Sequence, residues 1–261
     1  MNIVVCLKQV PGTTEVKIDP QTNTLIRQGI ENIINPFDTY AIEEAVRLKE
    51  KHGGKVTVIT MGPPQADAAL REAVSLGADE AILLSDRAFA GADTWATAYT
   101  LSQALVKIKD YDLVICGRQT IDGDTGQVGP EMAEMLEIPF IAYVSNIEEI
   151  KDKYLRVKRM VEEGHEVIEA TLPAVITVAK EINVPRLPSL RGIMKSKSAA
   201  IQTWGIKELG VDAGKVGLAG SSTQVIKVFF PQRITKAEIL EGTLEERVDK
   251  LVDRLKKAGL C

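Results

Sequence analysis

Residues 117–130 read Gly117-Arg118-Gln119-Thr120-Ile121-Asp122-Gly123-Asp124-Thr125-Gly126-Gln127-Val128-Gly129-Pro130, and we call them the glycine loop. They follow an apolar run, residues 113–116, that is typical of a buried parallel strand. They precede residues 131–136, which predict a helix. A loop that leaves a parallel strand and enters a helix presents unpaired N–H groups, which suit a phosphate or a pyrophosphate.

We favour a ligand-binding loop over a glycine-rich turn that binds nothing. The loop is long for such a connection, and it carries Gln119, Thr125, Gln127 and two aspartates besides its glycines. Glycine lets a backbone turn tightly or approach a ligand closely. The loop is not a Walker loop, because no Gly-Lys-Ser/Thr follows, and it is not Gly-x-Gly-x-x-Gly. Since the P-loop lysine is missing, we expect a nucleotide held as a cofactor and not consumed.

Strands and helices alternate four times in the first half of the chain. Strands are predicted at residues 2–8, 55–61, 80–84 and 113–116. The first helix is predicted to begin with Asn35–Asp38, and three more are predicted at residues 65–76, 94–108 and 131–136. Asp38 and Asp93 are the expected N-caps of the first and third helices. A small hairpin of residues 16–18 and 25–26, with a turn at Asp19-Pro20, is expected before the first helix. This alternation predicts an α/β fold with a doubly wound, mostly parallel, Rossmann-like sheet.

The second half of the chain departs from this alternation. Extended stretches at residues 140–147, 154–160, 166–170 and 174–179 predict that antiparallel pieces continue the sheet. Residues 180–191 predict an irregular exposed loop, and residues 199–232 a polypeptide arm. Thr243 is the expected cap of a last helix whose apolar stripe is Leu244, Val248, Leu251, Val252 and Leu255. We therefore expect a nucleotide-binding domain, residues 1–198, and a C-terminal arm with a helix, residues 199–261.

Four predicted loops should meet at one edge of the sheet. They are residues 8–11, 35–38, 61–63 and 117–128. In doubly wound sheets, ligands bind beyond the carboxyl ends of the strands, at the point where the strand order reverses. Convergence of four loops on one crevice is the main argument from the residues alone for a nucleotide site.

The composition argues against several other classes of protein, namely nucleic-acid-binding, zinc-binding, disulfide-rich and membrane-spanning proteins. The net charge is −4 without a basic block, so nucleic acid is not an expected partner. Three cysteines and two histidines offer neither a disulfide framework nor the ligands of a zinc site, and they favour a reducing cytoplasm. No apolar run is long enough to span a membrane, and Met1 leads into a strand without a signal-peptide pattern. Cys6 and Cys116, both in predicted strands, are expected to be inert thiols.

Taken together, these residues resemble the small (beta) subunit of electron-transfer flavoproteins, through essentially the whole chain. The segments that carry the resemblance are Val5-Cys6-Leu7-Lys8, Asn35-Pro36-Phe37, Ala41–Lys51, Met61-Gly62-Pro63, Gly77-Ala78-Asp79, Gly117-x-Gln119-x-Ile121-Asp122, Gln127-x-Gly129, Asn183-x-Pro185-Arg186-x-x-x-Leu190, Ile193-Met194-Lys195 and Pro231-Gln232-Arg233.

The resemblance implies a heterodimer with a larger alpha subunit that carries one FAD, and an adenine nucleotide in the beta crevice. The implied cofactor contacts are Cys6, Asn35, Pro36, Phe37, Asp38, Met61, Gly117, Arg118, Gln119, Asp122, Gly123, Asp124, Thr125, Gly126, Gln127 and Val128. The resemblance also implies that residues 1–198, the nucleotide-binding or flavin-binding domain, include a partner-docking loop at residues 183–195. The implied docking residues for a partner dehydrogenase are Arg186, Pro188, Leu190 and Lys195. Leu190 is the expected apolar anchor, and the alternative is a leucine folded back onto its own surface. The C-terminal arm and helix are expected to pack on the alpha subunit.

The glycine loop also indicates a branch of the family. AMP-holding members typically read Asp-Asp-Asp-x-Asn-Gln-Thr-Gly, whereas residues 122–130 here carry glycines at 123 and 126. That resembles the electron-bifurcating branch, whose beta subunit binds a second FAD and oxidises NADH. Its electrons go to ferredoxin or flavodoxin and, through the alpha-subunit FAD, to an acyl-CoA or related dehydrogenase or a quinone reductase. We expect such NADH-oxidising activity only in the heterodimer.

Two other functions stay open from the sequence. One is a non-bifurcating beta subunit that holds structural AMP. The other is a nucleotide-binding domain of the universal-stress type, without a redox role.

Overall fold

The computed structural model describes residues 1–12, 17–18, 25–26, 31–226 and 239–260. The chain forms two compact units, Met1–Ile226 and Lys227–Cys261, which are described separately. Val16, the predicted turn at Asp19-Pro20 and the segment 231–233 lie outside the described residues.

Thirteen strands and eight helices are found in the described residues. The strands are β1 (Asn2–Cys6), β2 (Gln9–Pro11), β3 (Lys17–Ile18), β4 (Leu25–Ile26), β5 (Asn32–Ile34), β6 (Lys55–Met61), β7 (Glu80–Leu84), β8 (Leu113–Gly117), β9 (Phe140–Lys151), β10 (Tyr154–Val161), β11 (Gly164–Thr171), β12 (Ala174–Val178) and β13 (Ile201–Trp204). The helices are α1 (Pro36–His52), α2 (Asp67–Leu76), α3 (Thr94–Ile108), α4 (Val128–Leu136), α5 (Leu190–Ser198), α6 (Ile206–Leu209), α7 (Gly217–Gly220) and α8 (Leu244–Lys257).

The first unit is built on one nine-stranded sheet with the order β11-β10-β9-β12-β8-β1-β6-β7-β13. The strands from β9 to β13 in that order are parallel, and β10 and β11 add an antiparallel hairpin at one edge. Alternate residues of β1 enter two hydrophobic clusters, one packed by α1 and α2 and the other by α3 and α4. Helices therefore cover both faces, which confirms the doubly wound α/β prediction.

The central strands are predictable because they are buried on both faces. All five residues of β12 are buried, as are the first four of β8, and such strands read as continuous apolar runs. β6 and β7 have the predicted bounds, while β1 ends at Cys6 and not at residue 8. The predicted pairing of β3 with β4 is confirmed, and β2 pairs with β5 in a second ribbon that the sequence did not indicate.

Of the two helix caps predicted in the first half of the chain, one is confirmed and the other is wrong. Asp93 caps α3 as expected, because its side chain accepts a hydrogen bond of 3.0 Å from the Ala96 N–H. Asp38 is not the cap of α1. Asn35 occupies that position and Pro36 is the first helical residue, where proline's fixed φ is favourable. Asp38 is thus left inside the first turn and is free to bond elsewhere.

Three predictions for the second half of the chain are wrong. β12 is not an antiparallel addition, because it runs parallel between β8 and β9 in the interior of the sheet. Residues 199–226 are not an arm, because β13 pairs with β7 and the compact unit extends to Ile226, which moves the boundary predicted after residue 198. The irregular segment after residue 180 is shorter than predicted, because Ser189 caps α5, which begins at Leu190.

In the second unit, α8 begins after Thr243, whose side chain accepts from the Glu246 N–H, so the predicted cap is confirmed. Four residues of its apolar stripe are exposed, namely Leu244, Val248, Leu251 and Val252. Among the described residues, no helix is both long and apolar enough to cross a membrane.

Candidate nucleotide site

The strand order reverses between β1 and β8. From β1 the chain passes through α1 to β6 on one side, and from β8 it passes through α4 to β9 on the other. The first turns of α1 and α4 therefore stand on either side of the carboxyl ends of β1 and β8. Helix N-termini present free N–H groups and a partial positive charge. We call this place the switch-point crevice, and it is where a doubly wound sheet binds its ligand.

Asn35 ties the start of α1 to the glycine loop. It is fully buried, and its amide nitrogen donates to the Gln119 carbonyl oxygen and to Asp38 Oδ1, both at 2.9 Å. Its amide oxygen accepts from the Ile121 N–H at 3.2 Å. Every polar atom of this side chain is therefore used to fix the loop against the helix.

Asp38 joins three elements at the floor of the crevice. Its Oδ2 accepts from the Lys8 N–H at 2.7 Å. Burial raises the pKa of Asp38 to about 7, although hydrogen bonds from Asn35 and from the backbone of Lys8 and Gly117 act in the opposite direction. A side chain at Gly117 would collide with the Asp38 carboxylate and lie 2.7 Å from the Phe37 carbonyl carbon. Gly117 therefore allows β8 to approach the first turn of α1.

The exposed part of the glycine loop is held by side chains at its start. Both Asp122 oxygens accept from Lys8 Nζ at 2.8 Å, and the Gln119 amide donates to Asp124. Burial alone would raise the pKa of Asp122, but the bond and charge of Lys8 outweigh it and lower that pKa. The carboxylate of Asp122 is thus neutralised by a cation from the end of β1.

Gly123 and Gly126 differ in what the backbone demands. Gly126 has φ 63°, a left-handed conformation that favours glycine and tolerates asparagine. Gly123 has no positive φ, and a side chain added there would meet only Thr120 Oγ1, at 3.5 Å. The turn therefore requires glycine-like geometry at 126 but not at 123.

Two buried polar atoms beside the crevice lack partners among the described residues. The first is Nε of Arg118, whose guanidinium lies 4.9 Å from the centre of the Phe37 ring. Glu131, in the first turn of α4, accepts from Thr94 Oγ1 at 3.0 Å through Oε1, while its Oε2 is the other. Burial raises the pKa of Glu131. Buried polar atoms normally have partners, so these mark a place where a ligand or water can bond.

The remaining predicted contacts lie at the same edge. Met61 is the half-buried last residue of β6, and Gln9 Nε2 donates to the Gln65 carbonyl oxygen at 3.3 Å, which links the first loop to the loop after β6. Cys6 and Cys116 are register partners at the ends of β1 and β8. The structure therefore brings together the four loops that the sequence predicted to converge.

Residues 22–209 match the family model described as "Electron transfer flavoprotein domain". The chain is 54% identical over 258 residues to the electron transfer flavoprotein subunit beta of Thermoanaerobacterium thermosaccharolyticum, with 98% of each chain covered. It is 49% identical over 259 residues to the caffeyl-CoA reductase-Etf complex subunit CarD of Acetobacterium woodii, with 98% of each covered. It is 46% identical over 249 residues to protein FixA of Azotobacter vinelandii, covering 93% of this chain and 89% of that protein.

The chain belongs to the electron transfer flavoprotein family, as a beta subunit. The family resemblance drawn from the sequence is thereby confirmed, and the universal-stress alternative is set aside. A beta subunit of this family works with an alpha subunit and with dehydrogenase-type partners, and the family is associated with flavin and AMP.

The predicted docking residues of this beta subunit lie away from the crevice. Arg186 and Pro188 precede α5, and Leu190 and Lys195 lie within it. The Leu190 side chain is 84% exposed, so the alternative of a leucine folded back onto its own surface is wrong. Arg186 and Lys195 do not project freely, because both bond to other parts of the chain.

Three polar residues of the crevice were absent from the predicted cofactor contacts. Lys8 lies in the predicted loop of residues 8–11, so the sequence already placed this cation at the crevice without giving it a role. Thr94 is the first residue of α3 and Glu131 lies in the first turn of α4. Their hydrogen bond depends on how the two helices pack, which no local pattern shows.

Proposed function

We propose that this beta subunit binds FAD, not AMP, in the switch-point crevice, and that its heterodimer passes electrons from NADH to ferredoxin or flavodoxin and to a partner dehydrogenase. The observation that carries the proposal is the backbone conformation of Gly123 and the open space beside it. The fold does not need glycine there, because φ is not positive and a side chain would meet nothing closer than 3.5 Å. A glycine that the turn does not require leaves room beside the crevice for a larger nucleotide.

The residues present fit a dinucleotide. The first turn of α4 offers the N–H groups of Val128 and Gly129 to a pyrophosphate, and Arg118 adds a cation whose Nε lacks a partner among the described residues. Lys8 neutralises Asp122, so this carboxylate does not repel a phosphate. FAD bound here would supply hydride acceptance from NADH and release of single electrons. The chain's own part is to orient the cofactor and to hold the loop through Asn35.

The partners follow from the family and from exposed surfaces. We propose that the apolar face of α8 packs on the alpha subunit, which carries its own FAD, because four of its apolar residues are exposed. We propose that Leu190 anchors a partner dehydrogenase or quinone reductase. The 49% identity to a subunit of a caffeyl-CoA reductase-Etf complex supports a partner that acts on an acyl-CoA. The thiols of Cys6 and Cys116 are free, which supports a reducing compartment such as the cytoplasm.

A double substitution in the glycine loop tests the choice of cofactor. Gly126→Asn keeps a residue that tolerates the left-handed conformation, and Gly123→Asp adds a side chain where the fold has room. We expect the heterodimer with both changes to lose one FAD, to gain AMP and to lose NADH oxidation, while the alpha-subunit FAD stays bound.

The matched control is Gly210→Asn, because Gly210 also has a left-handed conformation, φ 66°, with nothing within 4 Å of an added side chain. This variant should keep both flavins. If the double variant also keeps two flavins and still oxidises NADH, these glycines do not select the cofactor. If the double variant fails to fold while Gly210→Asn folds, turn geometry is the better explanation of the two glycines.

A further inference from the structure

Residues 186–195, which we call the docking segment, carry an exposed apolar surface. Leu187, Leu190 and Met194 are 88%, 84% and 73% exposed. Burial of exposed apolar side chains at an interface yields more affinity when they are already held in a fixed arrangement, because ordering a loose segment costs conformational entropy. An effective docking surface therefore needs contacts that hold this segment in place.

One end of the segment is held on α1 by Arg186. Its Nε donates to Glu43 Oε2 at 2.7 Å and its Nη1 to Glu50 Oε1 at 2.6 Å. Its Nη2 reaches the second oxygen of each carboxylate, at 3.2 Å and 3.0 Å, and its backbone N–H also donates to Glu43, at 3.1 Å. All three guanidinium nitrogens are thus bonded within the chain. The Glu43 side chain is only 4% exposed, and its charge is paired with Arg186 and with Arg47, whose Nε donates to Oε1 at 2.6 Å.

The other end is held at the end of α2. Lys195 Nζ donates to the Ala78 carbonyl oxygen at 3.0 Å and lies 3.6 Å from Asp79. A side chain at Gly192 would collide with the Ser75 carbonyl oxygen, so α5 and α2 are in close backbone contact there. Arg71 Nη1 donates to the Ser196 carbonyl oxygen at 2.8 Å just beyond the segment.

We infer that Arg186 and Lys195 are positioning residues, which clamp the docking segment onto α1 and α2 and do not themselves contact the partner. This inference rests on the proposed function of Leu190 as an anchor. It reassigns two of the four residues that the family resemblance placed in the docking surface. Hydrogen bonds and charges from Glu50 and Glu43 raise the pKa of Arg186, in accord with a permanently paired cation.

The clamp also connects the docking segment to the crevice, because both are attached to α1. α1 begins at the crevice with Asn35 and Asp38, and carries Glu43 and Glu50 two and four turns later. With a rise of about 1.5 Å per residue, Glu50 lies roughly 20 Å along the same helix. One rigid element therefore sets the position of both sites.

Glu50→Gln distinguishes a clamp from a contact. If Arg186 is a clamp, loss of the Glu50 charge loosens the segment. Amide hydrogen exchange at residues 186–195 should then rise about fivefold in the heterodimer without partner, and KM for the partner dehydrogenase should rise similarly with kcat unchanged. If Arg186 instead contacts the partner, the same change frees its guanidinium, and KM should stay constant or fall. Arg186→Lys should behave like Glu50→Gln, because lysine cannot make the two-carboxylate bonding pattern.

The matched control is Glu80→Gln, because Glu80 accepts from Lys55 at 2.9 Å in a similarly exposed pair elsewhere. It should change neither measurement. Unchanged exchange in Glu50→Gln, or faster exchange with a KM that does not rise, would overturn the clamp. Leu190→Ala tests docking separately: if it leaves KM unchanged, the proposed docking fails, and exchange alone still decides whether Arg186 holds the segment.

Discussion

Leu190→Ala is expected to slow electron delivery to the partner dehydrogenase without disturbing the beta subunit itself. The side chain is 84% exposed as the first residue of α5, so its truncation leaves no cavity and should not change the unfolding temperature. The change removes three carbons from the proposed interface. At about 0.8 kcal/mol for each buried carbon, the loss is roughly 2.4 kcal/mol. That corresponds to a decrease of about 50-fold in kcat/KM for the partner.

The assay is steady-state reduction of the partner dehydrogenase by the NADH-driven heterodimer, with the partner concentration varied. Flavin content and NADH-dependent flavin reduction should remain normal, because Leu190 lies away from the crevice. Val106→Ala is the control, since Val106 is an exposed apolar residue of α3, and it should leave kcat/KM unchanged. A kcat/KM within about twofold of the unmodified protein would refute the docking role of Leu190.

Two further predictions concern the crevice. Cys6→Ala and Cys116→Ala should each leave NADH-dependent flavin reduction intact, because a hydrogen bond with Cys116 and burial raise the pKa of Cys6 and keep it a thiol; loss of reduction with flavin still bound would contradict this. Asp38→Asn should change how stability depends on pH. Because burial raises the folded pKa of Asp38 from 3.8 to about 7, the unfolded chain loses this proton first, and the unmodified protein should lose stability as pH rises from about 4 to about 7. Relative to Asp38→Asn, the free energy of unfolding of the unmodified protein should fall by about 4 kcal/mol over this range. The measurement is thermal unfolding of both heterodimers at several pH values. A stability difference between them that does not change with pH would refute burial as the origin of the shift.

The sequence predicted the elements whose burial imposes a pattern. β6 and β7 have the expected bounds because their runs of buried residues are continuous, and Asp93 and Thr243 cap helices as local chemistry requires. β13 was missed because it is only four residues long and lies at the edge of the sheet, where its side chains are partly exposed. β12 was taken as antiparallel because strand direction depends on the path of the chain and not on the strand's composition.

The candidate site was predictable to the level of its loops, but not of its contacts. Convergence of the loops follows from sheet topology, which the alternation of elements reveals. The bonds of Lys8 with Asp122 and of Arg186 with Glu43 join residues 114 and 143 positions apart, so no local pattern indicates them. For the same reason Asp38 was taken as a cap, although its carboxylate accepts from Asn35 and from the backbone of Lys8 and Gly117.

The cofactor content of the purified heterodimer tests the central claim most directly. The beta subunit should be co-expressed with its alpha subunit, the cofactors released by denaturation, and FAD and AMP counted against protein. The proposed function predicts two FAD and no AMP in each heterodimer, with both flavins bleached by NADH. One FAD together with one AMP, and no reduction by NADH, would contradict it.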